Sequence, residues 1–114
     1  MMTLEALQAY GADTEAGLAR CMGMKDFYLR LVKMELADGN FDALATALNA
    51  GDMKAAFEAA HALKGAVGNL ALTPLYTPIY EITELLRHAD APIDTGDLLP
   101  RIQQALADLR ALEA

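Results

Sequence analysis

The spacing of apolar residues is the feature that most restricts how this chain can fold. One apolar stripe repeats at intervals of three, four and seven residues, and its members are Phe27, Leu31, Met34, Phe41, Leu44, Ala45 and Leu48. Such spacing is typical of one face of an α-helix, whereas a half-buried strand would alternate apolar and polar residues. No Asn-Gly or Asp-Gly pair lies between β-branched runs, so no hairpin is expected. The sequence therefore predicts an all-α protein.

The same periodicity, followed along the chain, predicts six helices. The expected ranges are about 3–10, 13–21, 25–50, 52–70, 73–90 and 97–112. The apolar register passes through Gly39 without a reset, so we expect helix 25–50 to be one helix, straight or bent at Gly39. Gly51 suits the end of that helix, and Asp52 suits the cap of the next one. Four long helices with short connections predict an antiparallel four-helix bundle preceded by two short N-terminal helices.

Size and charge narrow the classes of function. The chain has 114 residues, of which 54% are hydrophobic. This length and composition suit one domain over residues 1–114. A formal net charge of -7 disfavours both nucleic acid and an anionic membrane surface as partners.

Location and assembly follow from the same composition. Cys21 is the only cysteine, and the first residues do not form a charged segment followed by an apolar run and a cleavage site, so no signal peptide is expected. No apolar run approaches the roughly 20 residues that a membrane span requires. We therefore expect a cytoplasmic protein, and a monomer because four apolar stripes suffice to close one bundle.

The strongest functional signal lies on the predicted helix 52–70. At about 100° per residue, His61 points roughly 140° away from the apolar face of this helix, toward solvent. Lys64, Gly65 and Gly68 lie within about 60° of His61, and we call these four residues the histidine strip. Glycine costs about 1 kcal/mol relative to alanine inside a helix. Two glycines on an exposed strip therefore predict clearance for a partner protein, with Lys64 as a positive charge for a transferred anion.

These residues resemble the motif of the histidine phosphotransfer (HPt) family. The sequence His-Ala-Leu-Lys-Gly spans residues 61–65, and Asn69 and Leu70 follow it. The resemblance extends to residues 13–20, 26–28 and 51–52, although Ala71 stands where the family usually has glycine. It implies that His61 is the phosphorylated nucleophile of a multistep two-component phosphorelay and that Lys64 stabilises the phosphoryl charge. A neutral imidazole is also a good nucleophile in its own right.

The resemblance further implies the partners: a receiver domain of a hybrid sensor kinase, of a response regulator, or of both. The strip has no carboxylate cluster and the chain has no Gly-rich nucleotide loop, so we expect no metal, no cofactor and no ATP site. The protein is then a carrier and not an enzyme, and magnesium is expected in the partner receiver. Asn69 either orients a phosphoryl oxygen or caps the helix. The residues expected to dock the partner are Gly65, Gly68, Phe57, Glu58, Ala62 and Asn69.

Three alternatives stay open. Glu81 or Glu84 either reaches the His61 ring and fixes its orientation, or both are solvated glutamates on a helix flank. Glu58 and His61 form a Glu-x-x-His unit of the kind used by di-iron bundles, but such sites need two units and the sequence has one. A degenerate docking scaffold would bind receivers without transferring phosphate.

Overall fold

The computed structural model describes residues 1–113, and their secondary structure consists of seven α-helices without a strand. In chain order these are α1 (Leu4–Tyr10), α2 (Thr14–Arg20), α3 (Lys25–Glu35), α4 (Asn40–Ala50), α5 (Met53–Asn69), α6 (Thr73–Leu86) and α7 (Leu98–Ala111). Among these described residues, no helix combines the length and the apolar composition that a membrane crossing requires.

The bundle is built by neighbours along the chain. Helix α4 packs against α5, α5 against α6, and α6 against α7. Only residues 51–52 separate α4 from α5 and only 70–72 separate α5 from α6, so these neighbours run antiparallel. Side chains with almost no exposed surface fill the centre, among them Leu44, Leu63, Ile79, Ile82, Ile102 and Leu109. The predicted fold class, an all-α antiparallel four-helix bundle preceded by two short N-terminal helices, is confirmed.

The helix predicted over residues 25–50 is divided into α3 and α4 by residues 36–39. At the end of α3 the N–H groups of Leu36 and Ala37 donate to carbonyls three residues back, at 3.2 and 3.1 Å. Bonds of this kind tighten the last turn of a helix. The Asp38 carboxylate then accepts the backbone N–H of Asn40 at 2.9 Å. Gly39 keeps right-handed angles of φ -65° and ψ -15°. The backbone therefore stays close to helical, which explains why the sequence pattern shows no reset.

The buried face of α3 also differs from the predicted stripe. Phe27 and Met34 are 38% and 64% exposed, whereas Tyr28 and Val32 are fully buried. Helix α4 packs against α5, but α3 contacts α2, so the two helices on either side of the break meet different neighbours. A second difference is that α6 ends at Leu86, four residues before the predicted end.

Candidate functional site

Helix α5 presents His61 to solvent. The helix begins after Asp52, whose carboxylate accepts the N–H of Ala55 at 3.1 Å. Gly51 takes a left-handed φ of 72°, which ends the preceding helix. The buried face of α5 consists of Met53, Ala56, Ala59, Ala60, Leu63 and Val67. His61 lies outside this face, so its side chain is exposed, as the helical period indicates. Within residues 1–113 the His61 ring makes no hydrogen bond, so both ring nitrogens are left without a protein partner.

The His61 ring stacks on Phe57, one turn earlier on the same helix. The two ring centroids are 5.5 Å apart and the ring planes differ by 19°. Arg87, which directly follows α6, lies over the Phe57 ring with its Cζ 5.3 Å from the centroid. Phe57 was expected to dock a partner, and the structure shows that it also contacts the histidine. The i to i+4 spacing of Phe57 and His61 is the sequence signal for this contact.

Lys64 is restrained by an aromatic side chain of α6. Its Nζ atom lies 5.6 Å from the centroid of the Tyr80 ring. This separation is within the range of a cation–π contact. Tyr80 in turn lies beside Tyr76, with centroids 6.0 Å apart. The ammonium group is thereby held on the side of the strip that faces α6. Neither tyrosine was among the predicted site residues, although the antiparallel register about the turn at residues 70–72 brings residues 64 and 80 approximately level with each other.

The two glycines of the histidine strip have different surroundings. A Cβ added at Gly65 would have no atom within 4 Å, so the surface there is open. A Cβ added at Gly68 would lie 2.9 Å from Cε1 of Tyr76, which is closer than real Cβ atoms approach. The open surface at Gly65 suits clearance for a partner, whereas a side chain at residue 68 would have to displace the Tyr76 ring of α6. Packing against Tyr76 thus gives Gly68 a reason of its own to be glycine, and docking clearance at this residue stays a prediction.

The two glutamates proposed to orient the ring are engaged elsewhere. Glu84 accepts hydrogen bonds from Arg87, with Oε2 2.8 Å from Nη2 and 3.1 Å from Nε. The Arg87 hydrogen bond holds the pKa of the Glu84 carboxyl below its ordinary value. Glu81 lies 3.6 Å from the guanidinium of Arg101. Within residues 1–113 neither carboxylate is hydrogen-bonded to His61, and the ring stacks on Phe57 instead. Of the two alternatives, the structure therefore favours glutamates that do not contact the ring.

The remaining predicted docking residues lie on the outer face of α5. Glu58, Ala62 and Asn69 are all exposed. Asn69 is the last residue of α5, and within residues 1–113 its side chain makes no hydrogen bond, so it does not cap the helix. Its backbone carbonyl, in contrast, accepts a hydrogen bond from Arg20 at 3.2 Å.

The C-terminal end of α5 is held by the N-terminal part of the chain. Arg20 donates to the carbonyls of Gly68 and Asn69. The buried Tyr28 hydroxyl donates to the carbonyl of Leu70 at 2.8 Å. Burial raises the pKa of this hydroxyl.

The turn after α5 is tied to the same part of the chain. Ala71, which replaces the usual glycine, takes a left-handed φ of 57°. Its carbonyl accepts the N–H of Asp13 at 3.0 Å. Arg20, Tyr28 and Asp13 thereby donate hydrogen bonds to carbonyls at and just beyond the end of α5, where the regular i to i+4 pattern of the helix stops.

Potential metal ligands do not converge in the described part of the chain. No three His, Cys, Asp or Glu side chains of residues 1–113 are placed to hold a metal ion. In the part of the chain that the structure describes, Glu58 and His61 therefore have no further protein ligands with which to form a di-iron type of site.

The fold and the site together define a helical bundle with an exposed histidine beside a restrained lysine. A family model described as Hpt domain matches residues 28–112, which is most of the chain. The chain belongs to the Hpt domain family, whose members act in histidine phosphotransfer and interact with receiver domains. Comparisons with curated proteins and with solved structures gave no match.

Proposed function

We propose that this protein carries a phosphoryl group on His61 between receiver-domain aspartates in a multistep two-component phosphorelay. One observation carries the proposal: the imidazole is exposed on α5, makes no hydrogen bond within residues 1–113, and lies one turn before the open surface at Gly65. An imidazole nitrogen is nucleophilic in its neutral form, which is populated near neutral pH. A partner's active site can reach this ring without meeting a side chain at residue 65.

The transfer requires a simple exchange of bonds. One ring nitrogen of His61 attacks the phosphorus of an aspartyl phosphate, in line with the bond that breaks. The N–P bond forms as the P–O bond to the aspartate breaks, and the carboxylate leaves with the bonding electrons. The reverse reaction delivers the phosphoryl group to another aspartate. His61 is therefore the nucleophile when it accepts the phosphoryl group. When an aspartate carboxylate attacks to take that group away, the N–P bond breaks and the ring nitrogen of His61 is the leaving group.

Lys64 stabilises the charge of the phosphoryl group during this exchange. It lies one turn from His61 on the same helix. The Tyr80 ring, whose centroid is 5.6 Å from Nζ, restrains the ammonium group and supports this role. A charge that is held in place before the reaction requires little reorganisation as the transition state forms.

The partner supplies the rest of the active site. We infer that a receiver domain of a hybrid sensor kinase, of a response regulator, or of both docks on the outer face of α5 around His61. The residues proposed to contact it are Phe57, Glu58, Ala62, Gly65, Gly68 and Asn69. Magnesium bound by the receiver would neutralise the phosphoryl oxygens. The protein itself is proposed to be a monomeric, cytoplasmic carrier without an ATP site, and not an enzyme.

The test is transfer of label from a panel of ³²P-phosphorylated receiver domains. His61→Gln should fold like the wild-type protein and accept no label, because its side chain has no nucleophilic ring nitrogen. His88→Gln is the matched control, since it alters the other histidine, which is also exposed. Label on the His61→Gln protein would refute the assignment. Receiver binding by the wild-type protein without transfer would instead indicate a docking scaffold.

The role of Lys64 has its own test. Lys64→Ala should slow single-turnover transfer by roughly 10-fold while leaving the melting temperature unchanged within about 2 °C, since the charge acts mainly in the transition state. Lys54→Ala, which removes another lysine from α5, is the control and should transfer at the wild-type rate. An unchanged rate for Lys64→Ala would show that this ammonium group does not stabilise the phosphoryl charge.

A further inference from the structure

The orientation of the His61 ring needs a physical cause, because no carboxylate or carbonyl fixes it within residues 1–113. The torsion about the Cβ–Cγ bond of a histidine is broad, so an exposed ring without contacts samples a wide range of orientations. The contact that His61 does make is the near-parallel stack on Phe57, with centroids 5.5 Å apart. A flat neighbour of this kind restricts rotation of the ring plane, and it leaves the ring edge with both nitrogens free.

Phe57 is itself held in place from α6. Its ring is covered by the Arg87 guanidinium, whose Cζ is 5.3 Å from the ring centroid. The guanidinium is fixed by Glu84, whose Oε2 accepts from both Nε and Nη2 at 3.1 and 2.8 Å. A planar guanidinium over an aromatic face is a favourable arrangement. The series Glu84, Arg87, Phe57 and His61 therefore links α6 to the ring.

We propose that Phe57, supported by Arg87 and Glu84, is a positioning residue that sets the plane of the His61 imidazole for in-line transfer. This inference rests on the proposed function of His61. The lone pair of a ring nitrogen lies in the ring plane, so rotation of the ring moves it off the line of attack. A displacement of about 1 Å in such a reaction can lower the rate by about 10²-fold. Aromatic stacking favours the stacked orientation by roughly 2- to 10-fold over an unstacked one.

The variants separate the aromatic face of residue 57 from its apolar character. Phe57→Leu keeps an apolar side chain but removes the aromatic face, and Phe57→Tyr restores that face. Phe27→Leu is the matched control, because Phe27 is a partly exposed phenylalanine on α3. Melting temperatures of all three variants establish that each protein is folded.

The first measurement is NMR relaxation of the His61 ring carbons in the unphosphorylated protein. Phe57→Leu should increase the amplitude of ring motion, whereas Phe57→Tyr and Phe27→Leu should leave it at the wild-type level. This measurement does not depend on phosphate, so its result stands even if His61 proves not to be phosphorylated. Unchanged ring motion in Phe57→Leu would overturn the positioning role.

The second measurement is single-turnover transfer from the receiver of the panel that phosphorylates the wild-type protein fastest. Phe57→Leu should lower the rate at saturating receiver by about 3- to 10-fold, in addition to any rise in the half-saturating concentration that comes from its contact with the receiver, and Phe57→Tyr should recover the wild-type rate within about twofold. A rise in the half-saturating concentration alone would overturn the proposal, because it would mean that Phe57 serves only in docking.

Discussion

Glycine occurs twice on the exposed strip of α5, and each occurrence has a different physical reason. At Gly65 the surface is open, and because glycine has no side chain, the space beside His61 stays empty. At Gly68 the ring of Tyr76 occupies the space that a Cβ would need. Tyr76 also lies beside Tyr80, which holds Lys64. A side chain at residue 68 would thus act on the lysine through two intervening rings.

These surroundings predict opposite responses to the same substitution. Gly65→Ala should stabilise the protein by up to about 1 kcal/mol, because alanine favours the helix and meets no neighbour. Gly68→Ala should be less stable than Gly65→Ala by about 1 to 3 kcal/mol, since the added methyl must displace the half-buried Tyr76. Thermal or urea denaturation of the two variants gives the comparison.

Transfer assays extend the comparison to function. Gly65→Gln should fold but transfer poorly, because its side chain would obstruct the partner's approach to His61. A destabilised Gly65→Ala, or full transfer by Gly65→Gln, would contradict the clearance argument.

At the scale of single residues, the sequence predicts features that depend on one helix alone and does not predict contacts between helices. The exposure of His61 and its proximity to Lys64 and Gly65 depend on the period of one helix, which is known in advance. The contact between Gly68 and the Tyr76 side chain depends on how α6 packs against α5, and the sequence of either helix alone does not determine that packing. The same reason explains why Tyr80, Arg87 and the engagement of Glu84 were not foreseen.

Among the helices, the break between α3 and α4 places a carboxylate in an unusual environment. Glu35 ends α3 and is half-buried, and within residues 1–113 its buried Oε2 atom has no hydrogen-bond partner. Burial, together with the nearby Asp38 carboxyl, raises the pKa of Glu35 to about 8. The folded protein therefore binds a proton at Glu35 more tightly than the unfolded chain does.

This pKa shift predicts how stability depends on pH. Between the ordinary pKa of 4.5 and about 8, the folded state holds more protons at Glu35 than the unfolded state. The free energy of unfolding therefore decreases as pH rises through this range, and the contribution is fully present only below the ordinary pKa. Relative to Glu35→Gln, which cannot ionise, the wild-type protein should lose about 1 to 2 kcal/mol between the acidic and the basic end of this range, the effect being reduced by solvent around the half-buried group.

Urea denaturation of both proteins at pH 5, 6.5 and 8 measures this difference. Asp38 is present in both proteins, so its own titration is common to the two curves to a first approximation. A constant difference in stability across the three pH values would mean that Glu35 ionises in the folded state as it does in the unfolded chain.

The same region shows where helical periodicity alone is insufficient. The register of Phe27, Met34 and Phe41 is regular, yet only Phe41 of these three is buried. A repeat of seven fixes which residues share a face, but the neighbours of that face determine whether it enters the core. Because α3 contacts α2 and α4 packs against α5, the apolar stripe is more deeply buried in α4 than in α3.

At the scale of the whole molecule, the order of helices and their antiparallel packing could be predicted because the connections after α4 and α5 are short. When the connection between two helices is short, the second helix packs antiparallel beside the first. The placement of α1 and α2 could not be predicted in this way. It is fixed by contacts between residues far apart in sequence, such as Tyr10 of α1 with Ala105 and Arg20 of α2 with Gly68.

The contacts of α2 and of the residue before it show that the region matched by the family is shorter than the region that supports α5. The family match begins at Tyr28, yet Asp13 and Arg20, which precede it, hold carbonyls at and just beyond the end of α5. At about 1.5 Å per residue, that end lies about 12 Å along the helix axis from His61. A truncated protein that began at residue 28 would lose the hydrogen bonds that Asp13 and Arg20 donate near the end of α5, the helix that bears His61. A segment that is to be moved into another protein with α5 intact therefore has to start before residue 28, where the match to the family begins.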